Sequence, residues 1–529
     1  MSRSLVAHPL LFAVFPALFM YSQNADRVPP EMVAVPVFLL VLVTLAAWSL
    51  LTPLAGDYRR AGLIVSLFLL LFFSYGICYV ELRASVAGRL FGSPLTVAGS
   101  LLAVWGGVLA LGAYSFVKTE RDLCDLTNVV NVIAGCLVLI SIFQIGAKRL
   151  SAPAVRSNEA VAPYVVDEVV YSAEADSLPD IYYIILDGYA RGDVLHEIYA
   201  FDNSEFVQAL RERGFFVAKG SRANYCQTLL SLASSLNLTY LDPLVAQIGL
   251  DHPSTGPVTG MIKDSAVVAF LKQRGYRIVS FASGYAGTEM RVADSYLAAG
   301  WYPDEFQVAL INMTPLPFLL ERLFSMHDWH RERILFTLEH ISDVSEPDGP
   351  SFVFAHVLAP HPPFVFGSNG EERDPGYQFI LSDGSHLVGG AGLTPEEYVR
   401  GYRDQLAFIN TKVLQALDDL LSRRDRPAVI ILQADHGPGS MLDWRSADGT
   451  NLRERFCILN AYHLPDDGEA QLYDTISPVN SFRVIFNTYL DGEFELLPDE
   501  SYFSTDVRPY AFISVTDALN SDPGASAAE

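Results

Sequence analysis

Residues 181–191 read Ile-Tyr-Tyr-Ile-Ile-Leu-Asp-Gly-Tyr-Ala-Arg, and this stretch decides the fold class. Its first part, Ile181–Leu186, is an unbroken run of β-branched, aromatic and aliphatic residues, entered through Ser177-Leu178-Pro179-Asp180. A short continuous apolar run of this kind predicts a strand buried on both faces of an α/β sheet. The run stops on a carboxylate, Asp187, followed by Gly188. Function collects at the carboxyl ends of strands in open α/β sheets, and a buried charge there is costly unless it is paired or holds a metal. Asp187 could instead only cap the next helix. A second stretch argues otherwise: Ala428–Ala434, AVIILQA, runs straight into Asp435-His436-Gly437. Two strand ends that offer Asp and Asp-His form a set of hard and borderline metal ligands.

Outward from these strands, the chain alternates. Helices are predicted at Ser204–Arg213, Ser265–Arg274 and Pro395–Arg423, and strands at Phe215–Ala218, Tyr276–Ala282 and Pro350–Val357. Helices interleaved with apolar strands predict a largely parallel sheet covered on both faces. The segment Ile311–Phe336 carries Leu, Phe and Trp at helical spacing; the alternatives are core and membrane surface, and core is preferred.

The 529 residues carry a net charge of −24, which excludes a basic nucleic-acid-binding surface. A hydrophobic content of 50% and a mean hydropathy of +0.25 are too apolar for an ordinary soluble enzyme. The excess lies in residues 1–147. Five apolar segments occur at about 5–22, 32–53, 62–81, 94–116 and 127–146, each near the ~20 residues that span a bilayer. The first reads as an anchor rather than a signal peptide, because no small-x-small cleavage site follows it. Orientation is undecided by charge. Arg3, Arg59, Arg60, Lys118 and Arg121 would be on one side, and Arg27, Arg83, Arg89, Lys148, Arg149 and Arg156 on the other. Residues 148–178, rich in Ala, Ser, Pro and Glu, are predicted to be a linker, 179–517 the catalytic domain, and 518–529 a disordered tail. Only Cys226 and Cys457 lie in the polar part, which excludes a disulfide framework and leaves one bridge open.

Between the two ligand-bearing strands lies Ser221–Asn237, SRANYCQTLLSLASSLN, dense in hydroxyls. Thr228 stands at a predicted loop-to-helix junction, with Leu229, Leu232 and Leu236 at helical spacing behind it. A hydroxyl there is commonly a cap. Beside a metal it would lose its proton more easily and could attack phosphorus or sulfur. His356 and His361, in HVLAPHPP, sit at a strand exit; they could touch substrate, protonate a leaving group, hold a second metal or be structural. Arg191 could grip an anion bidentately or form a salt bridge. His252, His327 and His330 are read as surface or satisfied polar residues.

The order of an Asp, a Thr some forty residues on and a late Asp-His-Gly resembles the alkaline phosphatase and sulfatase superfamily. The match is to the membrane-anchored phosphoethanolamine transferases and lipoteichoic acid synthases. The resemblance covers about residues 180–465 in motif order and the membrane part in layout. It implies five membrane spans followed by a three-layer α/β sandwich on the extracytoplasmic side of a bacterial-type inner membrane. It implies one divalent ion, Zn or Mn, held by Asp187, Thr228, Asp435 and His436, with Thr228 as nucleophile. It implies His356 and His361 as contacts to the substrate phosphate. The partners implied are a phospholipid or lipid-linked donor and an envelope glycan or lipid acceptor. Two departures narrow this. Cys226-Gln227-Thr228-Leu229-Leu230 lacks the Pro and Arg of a formylglycine signature, which argues against that kind of sulfatase, and the transferases' Cys-rich loops are absent. The alternatives are a hydrolase of phosphate or sulfate esters at the same site, and a non-catalytic envelope scaffold, against which the complete ligand set argues.

Overall fold

The computed structural model describes residues 5–25, 28, 30–84, 94–151, 178–300, 302–320, 325–344, 349–377, 379–390, 392–422, 426–466 and 468–521. The predicted linker, but for its two ends, and residues 522–529 of the predicted tail lie outside them, as do Arg3, Arg27, Arg89 and Arg156. The chain divides into two units, residues 1–153 with 302–326, and residues 154–301 with 327–529.

The first unit contains helices α1 His8–Asn24, α2 Pro30–Ala55, α3 Tyr58–Ala84, α4 Pro94–Lys118 and α5 Cys124–Ser151. Four of them, α2 to α5, are long and apolar enough to cross a membrane. The helix α1 has 17 residues, or about 26 Å, short of a ~30 Å hydrocarbon core. Among the described residues, four of the five expected spans thus have the length and composition to cross a membrane. Large apolar side chains such as Phe38, Leu111 and Phe143 point outward, as helices facing lipid require. Polar contacts set the helix directions. Asn131 Oδ1 accepts from the amides of Ala7 and His8, filling donors left open at the start of α1. Lys148 Nζ donates to the Gln23 carbonyl at the far end, so α1 and α5 run parallel. Arg60 donates to the Val117 and Thr119 carbonyls, a cation at the carboxyl end of the antiparallel α4.

Residues 302–320 pack with these helices. Asp304 caps the Glu305–Asn312 helix, whose Phe306 and Leu310 are buried in one cluster with Phe12, Tyr21, Val33 and Phe73. The amide of Gly76 in α3 donates to the Met313 carbonyl at 2.9 Å. A Cβ on Gly76 would lie 2.0 Å from the Asn312 oxygen, so only glycine permits this approach. The segment read from sequence as Ile311–Phe336 is thus split. Its beginning joins the membrane helices, while Ile334 and Leu338, on the Met326–His340 helix, enter the soluble core.

The second unit is built on a seven-stranded sheet: β1 Asp180–Leu186, β2 Phe215–Val217, β3 Arg277–Phe281, β4 Ser295–Leu297, β5 Ser351–Val357, β6 Ala428–Gln433 and β7 Asn460–His463. The order is β2-β7-β6-β1-β5-β3-β4, and β7 alone runs opposite to the other strands. A two-stranded ribbon pairs β8 Tyr502–Phe503 with β9 Ile513–Ser514. Strand alternation sorts the core into two layers. Tyr182, Ile184 and Leu186 face a cluster with Tyr402, Leu406 and Ile409 of the Pro395–Ser422 helix. Ile181, Tyr183 and Ile185 face another with Leu232, Leu236, Phe482 and Ile485. Helices cover both faces, the arrangement expected for a buried parallel sheet. The Thr516–Asn520 helix buries Leu519, so order extends into the predicted tail.

Candidate metal and nucleophile site

Three adjacent parallel strands, β6, β1 and β5, end side by side. Strand β1 pairs Ile185 with His356 on one side and with Gln433 on the other. Neighbouring strands lie ~4.8 Å apart, so residues just past these pairs converge. Asp187, His356 and Asp435 each offer an atom within 4.8 Å of the others, and all three are buried. His356 Nε2 lies 3.1 Å from Asp187 Oδ2. His436 Nε2 lies 3.2 Å from Asp435 Oδ2 and 3.7 Å from Asp187 Oδ1. Those same oxygens, Asp187 Oδ1 and Asp435 Oδ2, are buried without a hydrogen-bond donor. Two orphaned carboxylate oxygens aimed at one point are what a cation site requires. Gly188, with φ of +72°, turns the chain at this point so that its amide donates to Asp435 Oδ1.

Thr228 opens the Thr228–Leu236 helix, but the cap position is Gln227 and no side chain caps the helix. The Thr228 hydroxyl instead meets His436 Nε2 at 2.9 Å. The His436 tautomer follows from its other nitrogen: Nδ1 faces the Gly437 carbonyl at 2.9 Å, so the proton resides there and Nε2 presents a lone pair. Burial, then the nearby charge of Arg455, holds the His436 pKa below its ordinary value, favouring the neutral ring. For Asp187, burial pushes the pKa up, but His361, His356 and His436 together outweigh it and hold it below the carboxylate range. Ser231, one turn into the helix, donates to the Asp435 carbonyl at 2.7 Å and fixes the helix against the ligand loop.

The histidine pair separates. His356, expected against the substrate, lies on the carboxylate side because β5 carries it beside Asp187; its Nδ1 meets the Thr288 hydroxyl at 2.8 Å. His361 is in the following loop, its amide bonded to the Asp187 carbonyl and its ring 6.5 Å from that of His436. Arg191 forms the salt bridge: Nε and Nη2 clasp Asp193, and Nη1 reaches the Ser221 carbonyl. Cys226 and Cys457 are both free and buried. Of the two alternatives read from the sequence, a surface or a satisfied polar residue, the first does not hold for His330, which is fully buried, and His327 is half-buried with its Nε2 enclosed.

Thr288, Asp383 and Arg455 escaped the sequence reading. Nothing in Ser283–Glu289 marks Thr288. The only trace of Arg455 is a charged Arg453-Glu454-Arg455 set flush against the apolar Phe456–Leu459.

No protein-family model and no curated protein matches this chain. Solved structures do. The C-terminal periplasmic domain of EcEptC from Escherichia coli, in complex with Zn, aligns with 66% of this chain and 95% of its own, at 12% identity and a TM-score of 0.40. The integral membrane protein lipooligosaccharide phosphoethanolamine transferase A from Neisseria meningitidis aligns with 91% of this chain and 95% of its own, at 12% identity and a TM-score of 0.38. BT1596, a 2-O GAG sulfatase, aligns with 62% of this chain and 73% of its own, at 12% identity and a TM-score of 0.39. The solved structures this chain is similar to thus include phosphoethanolamine transferases and a sulfatase.

Proposed function

We propose that this protein is a membrane-anchored, metal-dependent transferase that moves a phospho-substituent from a lipid donor to a cell-envelope acceptor through a phospho-threonine at Thr228. The observation that carries the reading is the Thr228 hydroxyl 2.9 Å from His436 Nε2, beside two orphaned carboxylate oxygens. Asp187, Asp435, His436 and Thr228 would hold one divalent ion, Zn or Mn, with His356 flanking Asp187. When bound, the ion lowers the pKa of the threonine hydroxyl and stabilises charge on the transferred group.

The chain's own residues do the rest. Thr228 Oγ1 forms a bond to phosphorus while the bond from phosphorus to the lipid oxygen breaks. The threonine proton passes to solvent, and the leaving oxygen takes up a proton, for which His361, in the loop after β5, is the donor in this reading. An acceptor hydroxyl then attacks the phosphorus, loses its proton, and Thr228 recovers its hydroxyl. Water in that second step makes the protein a hydrolase of phosphate esters, the second reading. The test is peptide mass spectrometry after incubating the detergent-purified protein with phosphatidylethanolamine. Added mass on the Thr228 peptide supports the reading. Mass on Ser231 or Cys226, or none with an active enzyme, overturns it.

A further inference from the structure

The geometry points to Arg455 as the positioning residue that holds Thr228 and His436 in register, an inference that rests on Thr228 being the nucleophile. Arg455 is among the largest fully buried side chains of the protein. Its Nε donates to the Cys226 carbonyl at 2.8 Å, two residues before Thr228. Its Nη1 donates to the Gly437 carbonyl at 2.9 Å, one residue after His436. One rigid guanidinium therefore ties the loop that delivers the nucleophile to the loop that delivers the histidine. These loops are more than two hundred residues apart in sequence.

The Gly437 carbonyl is a shared acceptor. It receives Arg455 Nη1 from one side and His436 Nδ1 from the other. Holding this oxygen fixes the imidazole plane and the tautomer that turns the Nε2 lone pair to Thr228. The clamp closes in both directions, because the Gly437 amide donates to the Arg455 carbonyl at 2.7 Å. A Cβ at Gly437 would lie 1.9 Å from the Glu454 oxygen, so the two backbones are in direct contact.

Arg455 is itself held. Asp383 Oδ2 accepts from Nη1 at 2.9 Å, and Asp383 Oδ1 accepts from the Tyr398 hydroxyl at 2.7 Å. The Trp444 ring lies 5.4 Å from the guanidinium carbon, and its Nε1 donates to the Asp383 carbonyl. Asp383, Tyr398 and Trp444 are thus an outer frame. A lysine could satisfy one carbonyl but cannot present Nε and Nη1 in one plane.

The test uses full-length protein in detergent, with the metal restored, and two readouts. The first is turnover of fluorescent phosphatidylethanolamine. Arg455→Gln and Arg455→Lys are expected to lower kcat by about 10- to 100-fold, the cost of displacing a reacting group by ~1 Å, with KM and metal content near wild type. Lysine should retain more activity than glutamine. Because Arg455→Gln leaves Asp383 buried and unpaired, the double variant Arg455→Gln/Asp383→Asn is measured beside it to preserve folding. The second readout needs no donor. In a Thr228→Cys background, iodoacetamide labelling of residue 228, followed by peptide mass spectrometry, should slow about tenfold when Arg455 is replaced, as the thiol loses its alignment with His436 Nε2. Unchanged labelling, or a rise in KM with kcat unchanged, overturns the assignment. Absence of turnover in the wild type would count against the proposed function, and the labelling rates would still decide the role of Arg455.

Discussion

His356 Nε2 lies 3.1 Å from Asp187 Oδ2, across the parallel pairing of β5 with β1. This contact sets the histidine against a proposed ligand, while His361, five residues on, lies in the following loop with its ring 6.5 Å from that of His436. His356→Ala should therefore weaken metal binding by about 10- to 100-fold, as loss of a group that orients a ligand does. His361→Ala should retain the metal and lose turnover. Metal content of the purified variants by inductively coupled plasma mass spectrometry separates the two, and equal retention in both would remove His356 from the ligand side.

Asp435→Ala should abolish binding of the single ion, because it takes away a ligand and leaves His436 and Asp187 facing a void. The wild-type protein should carry about one equivalent of metal, and chelation should inactivate it. Metal content unchanged in Asp435→Ala would contradict the site.

Thr228→Ala should fold, insert and lose activity. Its hydroxyl does not cap the helix, so stability should fall by less than the ~1 kcal/mol that a cap contributes. Thr228→Ser should keep part of the activity. Thermal melts paired with turnover show whether the hydroxyl serves chemistry or folding.

Gly76→Ala should disturb the membrane unit. The added carbon meets the Asn312 oxygen at 2.0 Å and the Met313 Cα at 2.8 Å. Overpacking of this kind costs about 1–3 kcal/mol. Gly99→Ala, in the open space of α4, is the control and should be neutral or slightly stabilising. Hydrogen exchange of residues 305–320 should quicken in the first variant alone. The same rate in both would detach this segment from α3.

Falling pH should destabilise the soluble unit before its carboxylates titrate. Burial lowers the pKa of His327 from 6.5 to about 4 and that of His330 well below 6.5. The unfolded chain binds these protons near pH 6.5 while the folded one does not, so stability is full above that pH and declines as pH falls toward 4. His327 alone accounts for about 3 kcal/mol. His330→Phe should flatten the decline between pH 6.5 and 4 in melts of the full-length protein. A slope identical to wild type would show that His330 does not contribute.

Much of this was legible locally. The strand that ends on Asp187, the strand that ends on Asp435-His436 and the helix that begins at Thr228 follow from runs of apolar residues and their breaks. Side-chain alternation and helical spacing are short-range properties, readable in a window of ten residues. The apolar segments likewise follow from composition, although the span count depended on α1, where 17 residues fall at the limit.

What remained depended on which distant segments meet. The order β6-β1-β5 placed His356 beside Asp187, and no pattern within HVLAPHPP distinguishes its two histidines in that respect. The antiparallel β7 is a four-residue strand hidden within a longer apolar stretch, and only its pairing with β6 and β2 defines it. Arg455, Thr288 and the contact of Gly76 with Met313 have no local signature, because their partners lie roughly 20 to 240 residues away along the chain. The sequence determined which side chains stand at the ends of the elements, since that is set by local backbone preference. The tertiary structure decided which of them face one another, since that is set by packing between elements that propensity cannot see.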